Sequence, residues 1–166
     1  MGKSIGQFIV CGFAAIWAWY GVSALHGPAW LTPLALAPSL LIPMLSLVRP
    51  MTETPATPSA RRSFFVVVAL EGLGVFVAVN LAANLHHPAL TMPAIGLVVG
   101  LHFLPLAKIF RAPSYRLTGL ALCGLAIGSA FIDGDARAVT LGLGAAAILW
   151  ATMLVRTLGK PTLAAA

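Results

Sequence analysis

The sequence predicts an all-α integral membrane protein: six transmembrane helices forming three helical hairpins, with both termini on the cytoplasmic side. Three observations predict this. Hydrophobic residues fill 60% of the 166 positions and charged residues only 8%, where a soluble domain carries about 25%. The mean hydropathy of +0.97 leaves little beyond the turns polar enough to face water. Finally, nine of the ten Lys and Arg residues stand at alternate ends of apolar stretches: Lys3, Arg49, Arg61, Arg62, Lys108, Arg111, Arg116, Arg156 and Lys160. Only Arg137 stands at the opposite ends, which is the positive-inside pattern of a polytopic protein.

A helix needs about 17–25 mostly apolar residues to cross the hydrocarbon. The first span is 5–25, with Trp17, Trp19 and Tyr20 toward its outer end, where aromatic rings favour the interface. A tight turn at His26, Gly27 and Pro28 leads into the second span, 30–48, which Arg49 and Pro50 stop. Residues 49–62 are rich in Pro, Thr and Ser and form the one extended loop. The third span is 64–85, the turn is His86, His87 and Pro88, and the fourth span is 90–106. Lys108, Arg111 and Arg116 mark a second cytoplasmic connection. The fifth span, 117–132, is short, so Arg116 is expected to snorkel to help it reach. Asp133, Gly134 and Asp135 make the last outer turn before the sixth span, 138–155. The apolar run after Lys3 is longer than a signal-peptide core and no cleavage site follows it, so the first span is expected to be retained. The chain is expected to be a single transmembrane domain, 1–166, in a bacterial inner membrane.

The first two hairpins share a series of residues. Leu25, His26, Pro28 and Ala29 match Leu85, His86, Pro88 and Ala89 at an offset of 60, and Pro33 matches Pro93. Pro43 and Arg49 match Pro105 and Arg111 at an offset of 62, so the fourth span carries a two-residue insertion. The third hairpin fits by spacing alone: Asp135 to Arg156 is 21 residues, as is Pro28 to Arg49. Two-span units keep the same orientation, so these are parallel pseudo-repeats about the membrane normal, and a pseudo-threefold bundle is expected.

Small residues and prolines suggest how the helices meet. Gly124 and Gly128 form a GxxxG, and Gly74, Ala78 and Ala82 a small-residue row, both suited to close packing. Gly142 and Gly144 suit it equally. Pro38, Pro43 and Pro105 each remove a backbone bond, freeing the carbonyls of Leu34, Ser39 and Leu101. Those carbonyls either line a polar path or are satisfied by neighbouring helices.

The net charge of +6 would suggest nucleic acid in a soluble protein. Here the bases border apolar spans, so the expected partner is the anionic lipid of the inner leaflet, with no nucleic acid. Cys11 and Cys123 lie within spans and are expected to be free, buried thiols. No cofactor or metal is implied. A shared metal site among Cys11, Cys123, Glu71 and His102 is conceivable from depth alone, but nothing in their spacing selects it.

Glu71 is the only acidic residue within a predicted span. Ionised groups at bilayer depth cost on the order of 2.5–3.5 kcal/mol by insertion scales, so such residues face the bundle interior and have a partner. Glu71 lies nine residues in from Arg62, and His102 six before Lys108, which puts both in the cytoplasmic third. They belong to consecutive helices, so the pair is expected to be in contact. It either carries a proton or cation, or fixes packing through a buried hydrogen bond. Asn80 and Asn84 share a face about 180–220° from Glu71 and are better placed to bond to another helix or the outer turns. His26, His86 and His87 sit at the outer turns, where turn-capping is the simpler role and metal binding the other.

No P-loop, dinucleotide, nucleophile-elbow or HExxH pattern occurs, so no enzyme is expected. The stretch GLHFLPLA at 100–107, followed by Arg111 and Tyr115, resembles the fourth-span signature of a family of small bacterial integral membrane proteins with no assigned function. The resemblance implies a bacterial inner-membrane setting and no catalytic role for any residue. The expectation is a small membrane protein that binds or transports a small solute or ion, proton-coupled through Glu71 and His102, with scope for homo-oligomers. The alternatives are a non-transporting structural or accessory subunit and, more weakly, an intramembrane metal-binding or redox protein.

Overall fold

The structure, a computed structural model, describes residues 5–48 and 57–158. Among them there are six α-helices and no strands: α1 (Ile5–Ser23), α2 (Leu31–Val48), α3 (Pro58–Asn84), α4 (Thr91–Ile109), α5 (Pro113–Ser129) and α6 (Gly134–Leu158). A single 3-10 turn, Pro88–Leu90, leads into α4. Four segments are long and apolar enough to cross a bilayer: Gly6–Ser23, Pro58–Asn84, Pro88–Ile109 and Gly134–Leu158. Lys3, Arg49 and Lys160, three of the nine aligned bases, lie outside the described residues.

Several boundaries differ from the sequence expectation, each for a local reason. Helix α3 begins at Pro58, six residues before the expected 64. Thr57 caps it, its Oγ1 accepting from the Ala60 amide at 3.2 Å, and Pro58 presets the first helical φ. Helix α5 runs over Pro113–Ser129 rather than 117–132, because Pro113 again opens the helix and the chain turns from Ala130 onward. Helix α6 absorbs the expected outer turn. Gly134 supplies the left-handed residue (φ 61°) and Asp135 sits in the first turn, where the helix dipole favours a negative charge. Pro38 and Pro43 lie inside a continuous α2, and Pro105 inside a continuous α4.

Helix α1 packs on α2, α3 on α4, α4 on α5 and α5 on α6, whereas among the described residues α2 and α3 do not meet; α6 is the hub, touching α1, α2, α4 and α5. Two pairs of glycines set the closest approaches. A methyl group on Gly142 would stand 2.6 Å from the Gly21 Cα, and one on Gly21 would stand 2.7 Å from the Leu143 amide. A methyl on Gly100 would likewise meet the Cys123 amide at 2.8 Å, and one on Gly119 the Gly100 carbonyl at 2.7 Å. So α1 lies backbone to backbone on α6, and α4 on α5, the geometry that small residues permit in lipid. Between these pairs a core forms from Ala14, Trp17 and Ala18 of α1, Phe103 of α4, Ala126 of α5 and Ala145 of α6. Gly96 faces Ala126, Leu141 and Trp17, where four helices converge.

The GxxxG of α5 does not serve this packing. A side chain on Gly124 or Gly128 would meet nothing within 4 Å, because the buried stripe of α5 is Thr118, Gly119, Leu122, Ala126 and Ser129. On α3, Gly74 does face α4, 2.9 Å from Val98 when given a Cβ, and Ala82 is buried.

The first two hairpins share a turn but not an environment. His26 and His86, 60 residues apart, both adopt left-handed backbone (φ 49° and 55°). Yet α1 is packed between α2 and α6, whereas α3 touches only α4 and the 3-10 turn. In a threefold bundle α1 and α3 would occupy equivalent places. Here α3 is an outrigger, with Leu70, Leu73 and Phe76 each more than half exposed.

Candidate functional site

Polar groups gather toward the end of the bundle that carries Arg62, Lys108 and Arg156. Gln7 Nε2 donates to Thr157 Oγ1 at 2.6 Å, linking α1 to α6. The Thr118 and Thr152 hydroxyls meet at 2.6 Å between α5 and α6. Trp150 Nε1 donates to Ser39 Oγ at 2.9 Å, linking α6 to α2. Hydropathy alone conceals these residues, because a Thr in a helix can satisfy its hydroxyl on its own backbone. Thr157 donates to the Met153 carbonyl, and of Thr118 and Thr152 one donates to the carbonyl four residues back while the other gives its proton to the bond between the two hydroxyls. The available signal was their recurrence near one end of the spans. The Arg156 guanidinium lies 4.4 Å from the centre of the Tyr115 ring, a cation–π contact at the same end.

Glu71 and His102 lie at the edge of this layer, where α3 meets α4. His102 Nδ1 is 3.3 Å from Glu71 Oε1, and the side chains are 14% and 16% exposed. The same Nδ1 is 3.1 Å from the Val99 carbonyl. With the proton on Nδ1, neutral imidazole donates to the carbonyl and the carboxylate together. With the proton on Nε2, Nδ1 becomes an acceptor, and only a protonated Glu71 can donate to it. The second arrangement holds one proton more than the first.

A groove of about 390 Å³ opens between α3 and α4 at the basic end, with Arg62 and Lys108 on its lining beside Val67 and Pro105. Val67 is four residues from Glu71 and Pro105 three from His102, so the groove ends about one helical turn from the pair. Aromatic rings continue inward from His102: Phe103 at 4.8 Å, then Tyr115 at 5.6 Å from Phe103. The pair is thus connected by contact to α5 and, through Arg156, to α6.

The other sequence candidates are dispersed. Asn80 is exposed on the face of α3 turned away from α4, and its Nδ2 donates to the Phe76 carbonyl of its own helix at 2.8 Å. Asn84 is exposed on the same side. Among the described residues the Asn80 bond stays within α3, and neither asparagine joins Glu71. His26 Nε2 lies 3.3 Å from Asp135 Oδ2, tying the first outer turn to the start of α6. His86 holds the left-handed turn position, and His87 precedes the 3-10 turn without a side-chain cap. Cys11 is buried with Ile42 and Met153, and Cys123 lies against Gly100. Among the described residues no three His, Cys, Asp or Glu side chains are gathered as a metal ion would require.

Arg137, the lone base at the opposite ends of the spans, is a clamp in the structure. Its Nε donates to the Ile132 carbonyl at 2.7 Å and its Nη1 to the Ala89 carbonyl at 2.8 Å. Its Nη2 reaches Asp133 Oδ1 at 3.2 Å. One guanidinium thus joins the second hairpin to the third. Its signal was chemical: a single Arg beside carbonyl-rich turns has the fork geometry to hold several of them.

The chain matches no family model, no curated protein and no solved structure.

Proposed function

We propose that this is a six-span bacterial inner-membrane protein, with both termini in the cytoplasm, that binds or transports a small solute or ion at the seam between α3 and α4. Proton exchange at Glu71 and His102 is coupled to that step. The single observation carrying this reading is the half-buried pair, 3.3 Å apart, about one helical turn beyond a groove lined by Arg62 and Lys108. Two cations at the mouth favour an anionic solute, while an ionised Glu71 opposes its approach. Uptake of a proton by the pair removes that opposition, so anion and proton enter together. The nine-to-one distribution of basic residues supports the orientation. The shared left-handed turn at His26 and His86 supports a duplication of the first hairpin. Basic residues at the spans' ends are suited to anionic lipid, and no catalytic step or cofactor belongs to the reading.

The test is proton movement in proteoliposomes holding an entrapped pH-sensitive dye, challenged with small carboxylate and phosphate anions at two pH values. Anion-dependent acidification above protein-free vesicles supports the reading. Its absence for every anion at both pH values removes it.

A second reading, a non-transporting accessory subunit, is favoured by the filled centre of the bundle. Ala126, Leu141 and Trp17 close around Gly96 where the inner helices meet. In that case the Glu71/His102 pair only holds α3 against α4.

A further inference from the structure

The face of α3 opposite α4 carries a heptad seam. Val66, Ala69, Leu73, Phe76, Asn80 and Ala83 follow one another at spacings of 3, 4, 3, 4 and 3, and all are exposed. Spacings alternating between three and four keep one narrow stripe in line when two helices wind left-handedly around each other. Val66, Leu73 and Asn80 occupy one heptad position, and Ala69, Phe76 and Ala83 the other. From Ala69 onward the stripe lies apart from Glu71, which faces α4; only Val66, at its start, also borders the groove between α3 and α4.

We propose that α3 pairs in parallel with α3 of a second copy through this seam, with the two Asn80 carboxamides hydrogen-bonded to each other. The inference rests on the membrane setting but not on any transport. The choice of occupant comes from charge complementarity at Asn80. A carboxamide presents a partly positive NH₂ beside a partly negative oxygen, so two copies related by a twofold axis complement each other. One N–H is already given to the Phe76 carbonyl, which leaves the second N–H and Oδ1 for the partner. In lipid these groups have no water to turn to, and asparagine bonds across helices supply the alternative. A single Asn at such a seam position also fixes register and the number of strands. Ala69 and Ala83 let the backbones approach, and the basic residues keep both copies in one orientation. The heptad phase continues to Arg62, where like charges would meet. The contact therefore begins at Val66, and Arg62 keeps its place on the lining of the groove between α3 and α4.

The test is disulfide crosslinking of the full-length protein in lipid vesicles, retaining the native cysteines, which lie away from the seam. Cysteine is placed singly at Val66, Leu73, Leu70 and Val79, all exposed, with the last two off the seam. Crosslinked dimer is expected at Val66→Cys and Leu73→Cys and not at Leu70→Cys or Val79→Cys. Asn80→Leu is expected to weaken dimerisation about three- to tenfold without changing the helical content of the chain. Equal crosslinking at all four positions, no crosslinked dimer at any of them, or an Asn80→Leu chain that dimerises as tightly as the parent would overturn the proposal.

Discussion

Gly21 and Gly142 face each other across α1 and α6 so closely that a side chain on Gly142 would collide with the partner backbone. This contact explains why α1 is central while α3, its counterpart in the first repeat comparison, is peripheral. Replacing Gly142 by Ala should force the helices apart and cost about 1–3 kcal/mol, the usual range for overpacking a filled interior. Gly124→Ala on α5 is the control, since open space surrounds that position. Thermal unfolding in detergent should show a clear loss for the first and little change for the second.

Arg137 is expected to matter for stability more than its position in an outer turn suggests. Arg137→Lys keeps the charge but loses the fork that reaches the Ile132 and Ala89 carbonyls together. Each charge-assisted bond contributes about 1.5–3 kcal/mol net, so the variant should unfold measurably earlier. Asp133→Asn should have a small effect, because that carboxylate is fully exposed.

The turn conformations at His26 and His86 make a paired prediction. Left-handed backbone is tolerated by His and is costly for β-branched residues. His26→Val and His86→Val should therefore both destabilise, while His86→Gly should not and His26→Gly should lose only the exposed contact with Asp135. Thermal scans would check this. A different response at the two sites would show that the shared turns are not doing the same structural work.

Orientation is open to a direct check. Cysteine placed singly at Thr57, in a background without Cys11 and Cys123, should resist a membrane-impermeant thiol reagent added to intact cells and react after the cells are opened. Labelling of intact cells would invert the topology.

How much of this was legible in the sequence depended on whether a residue's meaning was set by its own helix or by a neighbour's. Glu71 and His102 are chemically conspicuous, and residue counting from Arg62 and Lys108 places them at one depth; their atoms lie 3.3 Å apart. The packing face of α5 was not legible from its GxxxG. A glycine pair defines a smooth patch, but which patch is used depends on what α4 and α6 present, and they meet Gly119, Leu122 and Ala126. Ser39, Thr118 and Thr152 were concealed for a related reason: their partners are on other helices. Asn80 differs again: it is exposed, and its one hydrogen bond among the described residues stays within its own helix.

The measurement that bears most directly on the proposed function is the pH profile of Glu71→Gln in proteoliposomes holding the pH-sensitive dye. Glutamine retains a hydrogen-bonding side chain of the same length but cannot exchange a proton. The account predicts that anion-dependent proton movement rises as pH falls in the parent protein. It predicts that the variant, folded to the same extent by thermal unfolding, shows no such dependence. A variant that unfolds earlier yet keeps the parent's pH profile would contradict the account, leaving Glu71 and His102 as the fastening between α3 and α4.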